Sequence, residues 1–186
     1  GVLLLVDLWM VNKRYVNEES FQEQTEKQAI TKSRADQQIL QDQAPQYRVL
    51  RLQNPFNDAT TSYYHRSVGG YHGAKMGRYQ ELIDYHLQDE VRQAQQSLSR
   101  DNIQRSMGGG PVQRALSPQI ASQFPILNML NTKYFIAPGR NNQEFAIQNP
   151  ERHGNAWFVE SLQPVPDADQ LILKLGEINP GQTALY

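Results

Sequence analysis

The sequence has no cysteine at all, which excludes disulfides, thiolate metal sites and cysteine nucleophiles while leaving the compartment open. It also lacks an excess of either charge, with 18 Lys+Arg against 19 Asp+Glu. A balanced chain carries neither the electrostatic footprint of a nucleic-acid binder nor a polybasic membrane patch. No long apolar run is present. Val2–Val6 is the strongest one near an end, and a spanning helix needs about 20 such residues. No charged segment precedes it, so it does not read as a signal peptide. A chain that opens abruptly on such a run reads as a piece of something longer.

Catalytic signatures are missing as well. There is no GxSxG, Walker or dinucleotide-binding fingerprint. His65 and His72 stand seven apart across two glycines, without HExxH or a carboxylate at ligand spacing, so no metal site is expected. The GGG of Ser106–Pro111 lacks both the preceding strand and the following Lys-Ser/Thr of a phosphate loop. No cofactor is expected, and no nucleophile–base pair stands out.

What is present is 186 residues with 39% hydrophobic content, enough for one domain with a core. The alternation of strand-like and helix-like stretches predicts an α/β (α+β) fold, a mixed sheet of about four to five strands with helices packed on it. Val2–Val11 reads as a buried strand. The glutamine- and glutamate-rich stretch after it (17–32) and residues 105–118 read as flexible excursions from a single domain over 2–186. Ser33–Asp36 opens a short helix with Ile39 and Leu40 as its contacts. Tyr47–Leu52 predicts a second strand, with Arg48 and Arg51 on its other face. A helix runs from Arg78 through Leu82, Ile83, Leu87, Val91, Ala94 and Leu98 at spacings of three and four. His86 lies on or beside that stripe and reads as a boundary residue. Another helix spans Ser117–Met129, broken at Pro125. Lys133–Ala137 and Glu144–Asn149 form a hairpin, the stretch around Trp157 and Val159 a further strand, and Asp167–Asp169 starts a last helix before a strand-like TALY.

One stretch combines chemistry with unusual backbone: Ser62–Asp84, SYYHRSVGGYHGAKMGRYQELID. Its four glycines suit a backbone that turns tightly and lies close to something else. Its aromatics and cations suit stacking on sugars and fixing hydroxyls or a phosphate. Tyr64, His65, Tyr71, His72, Lys75 and Arg78 are the candidate binding residues. The alternative is that the glycines let the loop pack under the domain with its tyrosines half-buried. No catalytic residue is assigned.

Four blocks in order carry a resemblance: DLWMVNKRYV (Asp7–Val16), the Ser62–Asp84 stretch, LNMLNTKYFI (Leu127–Ile136) and NPERHGNAWFV (Asn149–Val159). Together they resemble the YfhO family of bacterial integral membrane proteins, which are similar to GT-C glycosyltransferases that use lipid-linked sugars to modify cell-envelope polymers. The resemblance implies an extracytoplasmic piece of a polytopic protein, on the outer face of the bacterial cytoplasmic membrane. Its implied partners are the parent's own transmembrane region and an envelope glycan or polyprenyl-phosphate sugar. The acidic catalytic residue of such enzymes lies in a loop between membrane helices that this chain does not contain, so the resemblance transfers no catalytic role. A purely structural or protein-interaction domain docking on the parent's membrane helices is the alternative it leaves.

Overall fold

A computed structural model of the chain describes residues 1–17, 30–105, 114–139 and 143–186. Most of the excursion at 17–32, the GGG stretch and the tip of the hairpin lie outside the described residues. The chain separates into two compact units, Gly1–Thr31 and Lys32–Tyr186.

In the first unit the expected buried strand is instead a helix, α1 (Val2–Tyr15), none of whose residues is buried. A continuous apolar run does not distinguish strand from helix by its period. Here four leucines and Met10 favour helix, and Lys13 and Arg14 sit in the last turn, where cations complement the helix dipole.

In the second unit, α2 (Arg34–Ile39) starts with a complete capping box. Ser33 accepts from the Asp36 amide, and Asp36 accepts from the Ser33 amide. Strands β1 (Arg48–Arg51), β2 (Arg114–Ala115), β3 (Thr132–Pro138) and β4 (Glu144–Gln148) make a mixed sheet in the order β1-β3-β4-β2. The β3–β4 pair is antiparallel, as the hairpin pattern predicts, while β1 runs parallel to β3 and β2 to β4. The fold is therefore α+β with helices on a mixed sheet.

Both faces of this sheet are covered, and alternation along the strands assigns each residue to one of them. Leu50, Leu52, Phe135, Ala137 and Ile147 join the larger core. That core is closed by α3 (Gly77–Leu82), a π turn (Ile83–Leu87), α4 (Gln88–Arg105), α5 (Pro118–Ala121) and α6 (Pro125–Met129). The predicted stripe Ile83, Leu87, Val91, Ala94 and Leu98 is its wall. Val49, Ile136 and Ala146 face the other way, onto Ala35 and Ile39 of α2. Glu90 on α4 accepts the Ile126 and Leu127 amides at 2.8 and 2.9 Å, satisfying otherwise orphaned donors at the start of α6. Burial pushes its carboxyl up to about 7, against the pull of those two amides.

A second, smaller sheet pairs β5 (Ser161–Gln163) in parallel with β6 (Thr183–Leu185), with α7 (Ala168–Leu175) between them in sequence. The strand expected around Trp157 starts later. The chain turns at Gly154 (φ +82°), and Trp157 donates its indole N–H to the Pro180 carbonyl at 2.9 Å. Regular pairing sets in only at Ser161. His86, brought out by the π turn, meets the Ile172 carbonyl at 2.6 Å and fastens α7 to the larger body.

Candidate functional site

The glycines of the Ser62–Asp84 stretch explain its course. Gly69 lies so close to Pro55 that a Cβ would sit 1.9 Å from the Pro55 carbonyl oxygen, and Gly70 adopts φ +110° while donating to that same oxygen at 2.7 Å. Gly73 and Gly77 have open space around them. The close approach is thus to the protein's own backbone. Ser67 and its neighbours continue beside β1, with the Val49 amide donating to Arg66 and the Val68 amide to Val49.

The six candidates of this stretch are distributed rather than gathered. His65 turns inward: its Nε2 is 2.9 Å from Asp36 Oδ1, and burial holds its pKa below the usual histidine value. Asp36 also receives Arg51, which spans to Thr61 and Glu144. Burial alone would raise the Asp36 carboxyl, but the Ser33 hydrogen bonds, His65 and Arg51 outweigh it and hold it low. This is a satisfied buried network tying α2 to β1 and β4. Arg51, expected on an outer face, is buried because that face belongs to α2. Tyr64 is half-buried with the Lys32 ammonium 5.2 Å from its ring. Tyr71, His72 and Arg78 are exposed; the His72 Nδ1 accepts the Ala74 amide at 3.0 Å. Lys75 lines a separate cleft of about 390 Å³ with Phe56 and Arg92.

A better-furnished groove lies at the start of β1 and β3. It holds about 250 Å³ and is lined by Arg48, Arg66, Asn131, Asn155 and Trp157 among others. Three of the blocks quoted above meet to build it. Asn131 stands at φ +58° where α6 gives way to β3, and its side-chain amide donates to the Gln46 carbonyl at 2.6 Å and to Asn155 Oδ1 at 2.9 Å. Arg152 donates to Asn131 Oδ1 at 2.7 Å. Beneath them Asn149 donates to Asn128 Oδ1 at 2.7 Å and to the Thr132 carbonyl at 2.8 Å, and Asn128 donates to the Ala121 carbonyl. The asparagines of LNMLN therefore hold the chain rather than a ligand, and they aim Asn155 and Trp157 at the groove. The His153 ring lies 5.0 Å from that of Trp157, and its Nε2 is buried without a hydrogen-bond partner among the described residues.

The electrostatics of the groove differ from those of the other basic side chains. Arg51 and Lys133 are tied to carboxylates; Lys133 with Tyr134 and Ala44 holds Asp42, whose carboxyl is brought down to about 2 although burial opposes this. Arg48 and Arg66 are exposed, and among the described residues neither has a carboxylate at ion-pair distance. No carboxylate is among the residues lining the groove. Two forked donors, the Asn155 amide and an indole face make a surface suited to an anion or a hydroxylated ring. Sequence reasoning missed it because its residues come from four separate stretches. The only advance signal was that three of the resembling blocks contain Arg66, Asn131, Asn155 and Trp157. Compared with family models, curated proteins and solved structures, the chain matches none.

Proposed function

We propose that this chain is an accessory extracytoplasmic domain of a YfhO-like membrane glycosyltransferase, contacting an envelope glycan or a lipid-linked sugar. The observation that carries this reading is the groove: Arg48 and Arg66, without a carboxylate partner among the described residues, beside Asn155 and the Trp157 ring. Aromatic faces stack on sugar rings, and guanidinium and amide groups fix hydroxyls and phosphates. The contact role moves from the Ser62–Arg78 loop as a whole to Arg66 and the residues that meet it.

Nuclear magnetic resonance titration of the chain with envelope glycans and soluble sugar phosphates tests it. Shifts centred on Arg48, Arg66, Asn155 and Trp157 are expected. A silent groove across that panel sinks the reading.

A second reading, a structural domain docking on the parent's membrane helices, is favoured by α1. Val2, Leu3, Leu4, Leu5, Leu8, Trp9 and Met10 are all exposed on it, and a helix apolar on every side calls for an apolar surrounding. At 14 residues α1 is about 21 Å long, short of the roughly 30 Å of a bilayer core. No helix among the described residues is long and apolar enough to cross a membrane. Blue-shifted Trp9 fluorescence on lipid vesicles would support this role, and an unchanged spectrum would remove it.

A further inference from the structure

We propose that His153 is a proton-operated latch: the neutral ring holds the β5–α7–β6 unit against the turn that carries Trp157, and protonation releases it. This coupling joins two parts of the fold and holds whatever the groove binds.

The latch is built from close contacts. Gly181 lies so near the His153 ring that a Cβ there would sit 2.8 Å from Cε1 and 3.0 Å from Nε2. The ring also packs on Trp157, whose indole N–H is donated to the Pro180 carbonyl of the same turn. Gln182 follows directly, and its carbonyl accepts the Glu160 and Ser161 amides at 2.7 and 3.1 Å, where β5 and β6 begin to pair. The turn at 179–182 thus joins the seat of the ring to the first hydrogen bonds of the small sheet. Gly154, Asn155 and Trp157 line the groove, so release reaches its wall as well.

Protonation undoes this seat. With its proton on Nδ1, neutral His153 leaves only a lone pair at Nε2, and an unpaired acceptor is cheaper to bury than an unpaired donor. The imidazolium carries an N–H on both nitrogens, so Nε2 becomes a buried donor with no acceptor among the described residues. The neighbouring polar groups are already engaged. Asn179 Oδ1 accepts the Gly181 amide at 2.9 Å, the Asn128 carbonyl accepts the His153 amide at 3.1 Å, and Arg152 donates to Asn131. Among the described residues Glu151 is the charge that favours the imidazolium; burial outweighs it and holds the His153 pKa below the ordinary 6.5. The released ring therefore takes a proton more readily than the latched one. Above pH 6.5 the latch is closed, and below it the open-to-closed ratio rises by up to about tenfold per pH unit until the latched ring itself titrates. His86, the other fastening, donates from Nε2 to the Ile172 carbonyl and can do so in either charge state.

Hydrogen exchange of the whole chain, followed by nuclear magnetic resonance from about pH 7.5 to about 5 and corrected for intrinsic rates, tests the latch. Protection of the amides pairing β5 with β6, and of the Trp157 indole N–H, should fall by about fivefold or more. Protection in β3 should hold or rise, because Glu90 tightens the closed sheet as pH falls over that window. His153→Phe, which keeps a ring without a titrating nitrogen, should abolish the fall, and His86→Gln, which keeps a donor for Ile172, should preserve it. Gly181→Ala, whose methyl collides with the ring, should bring the acid behaviour to pH about 7.5. In the unaltered chain the His153 ring should titrate below 6.5, a readout that needs no variant to fold. A fall that extends to β3, or one that follows His86 instead of His153, overturns the proposal. So does a His153 ring that titrates with β5 and β6 still fully protected.

Discussion

The two sheets of the second unit treat apolar surface in opposite ways. The four-stranded sheet is roofed by helices on both faces, and Phe135, Leu50 and Ile136 at its centre are wholly buried. Its polar side chains are equally enclosed and almost all satisfied, as in the Asp36–His65–Arg51 network. The two-stranded sheet and α7 bury none of their own side chains, and Leu162 is 68% exposed. Two strands and one helix provide only one apolar layer, too little to close a core. The difference teaches where to seek stability and where to seek binding: the closed sheet fixes the frame, and the open one leaves apolar surface available at its edge.

The sharpest way to break the comparison is to cut the same kind of group from each side. Phe135→Ala should cost about 3–5 kcal/mol in chemical denaturation, since it empties a fully buried site against Phe124. Asp36→Ala should cost about 3 kcal/mol or more, because it removes the capping box and leaves Arg51 and His65 buried beside a missing partner. A loss below about 1 kcal/mol in either would mean that the closed sheet is not the stabilising frame.

Glu90 supplies a pH signature of the closed region. Its folded pKa of about 7 lies above its ordinary 4.5, so the folded state keeps a proton that the unfolded state releases between those values. Stability should therefore fall as pH rises from about 4.5 through 7, by up to about 3 kcal/mol, and level off above. Glu90→Gln should flatten that slope in denaturation curves taken across the window. Asp36 and Asp42, held low, act in the opposite sense: their contributions are present above pH 3.8 and are lost as pH falls through the folded values, that of Asp42 lying at about 2.

Smaller effects refine the boundary. Gly69→Ala should cost about 2 kcal/mol because its Cβ meets the Pro55 carbonyl, whereas Gly73→Ala, in open space, should be neutral or slightly stabilising. At the open sheet, Leu162→Ser and, in the exposed part of the loop, Tyr71→Ala should both stay within about 0.5 kcal/mol in thermal melts. A large loss at Leu162 would mean that the small sheet carries more of the fold than its exposure implies.

Much of the frame is readable from the residues. The hairpin across the Gly139 turn, the helix from Arg78 with its stripe, the break at Pro125 and the Asp167 cap all lie where local pattern places them, because each depends on neighbours a few positions away. Where pattern was ambiguous, as in Val2–Val11, helix prevailed over strand. In the site the loop was legible as unusual backbone but not as a contact surface: Gly69 and Gly70 serve Pro55, and His65 serves Asp36. Those partners are 14 or more residues away.

By itself, then, the sequence determined the α+β class, the order of most elements and the glycines that the turn beside Pro55 requires, since propensity, periodicity and backbone sterics are local. Only the tertiary structure decided that Arg51 is buried while Arg48 and Arg66 have no carboxylate at ion-pair distance among the described residues. It alone placed Asn155 and Trp157 beside them. Those outcomes depend on which faces the helices cover and which distant segments share an edge, and burial and charge pairing are properties of that assembly.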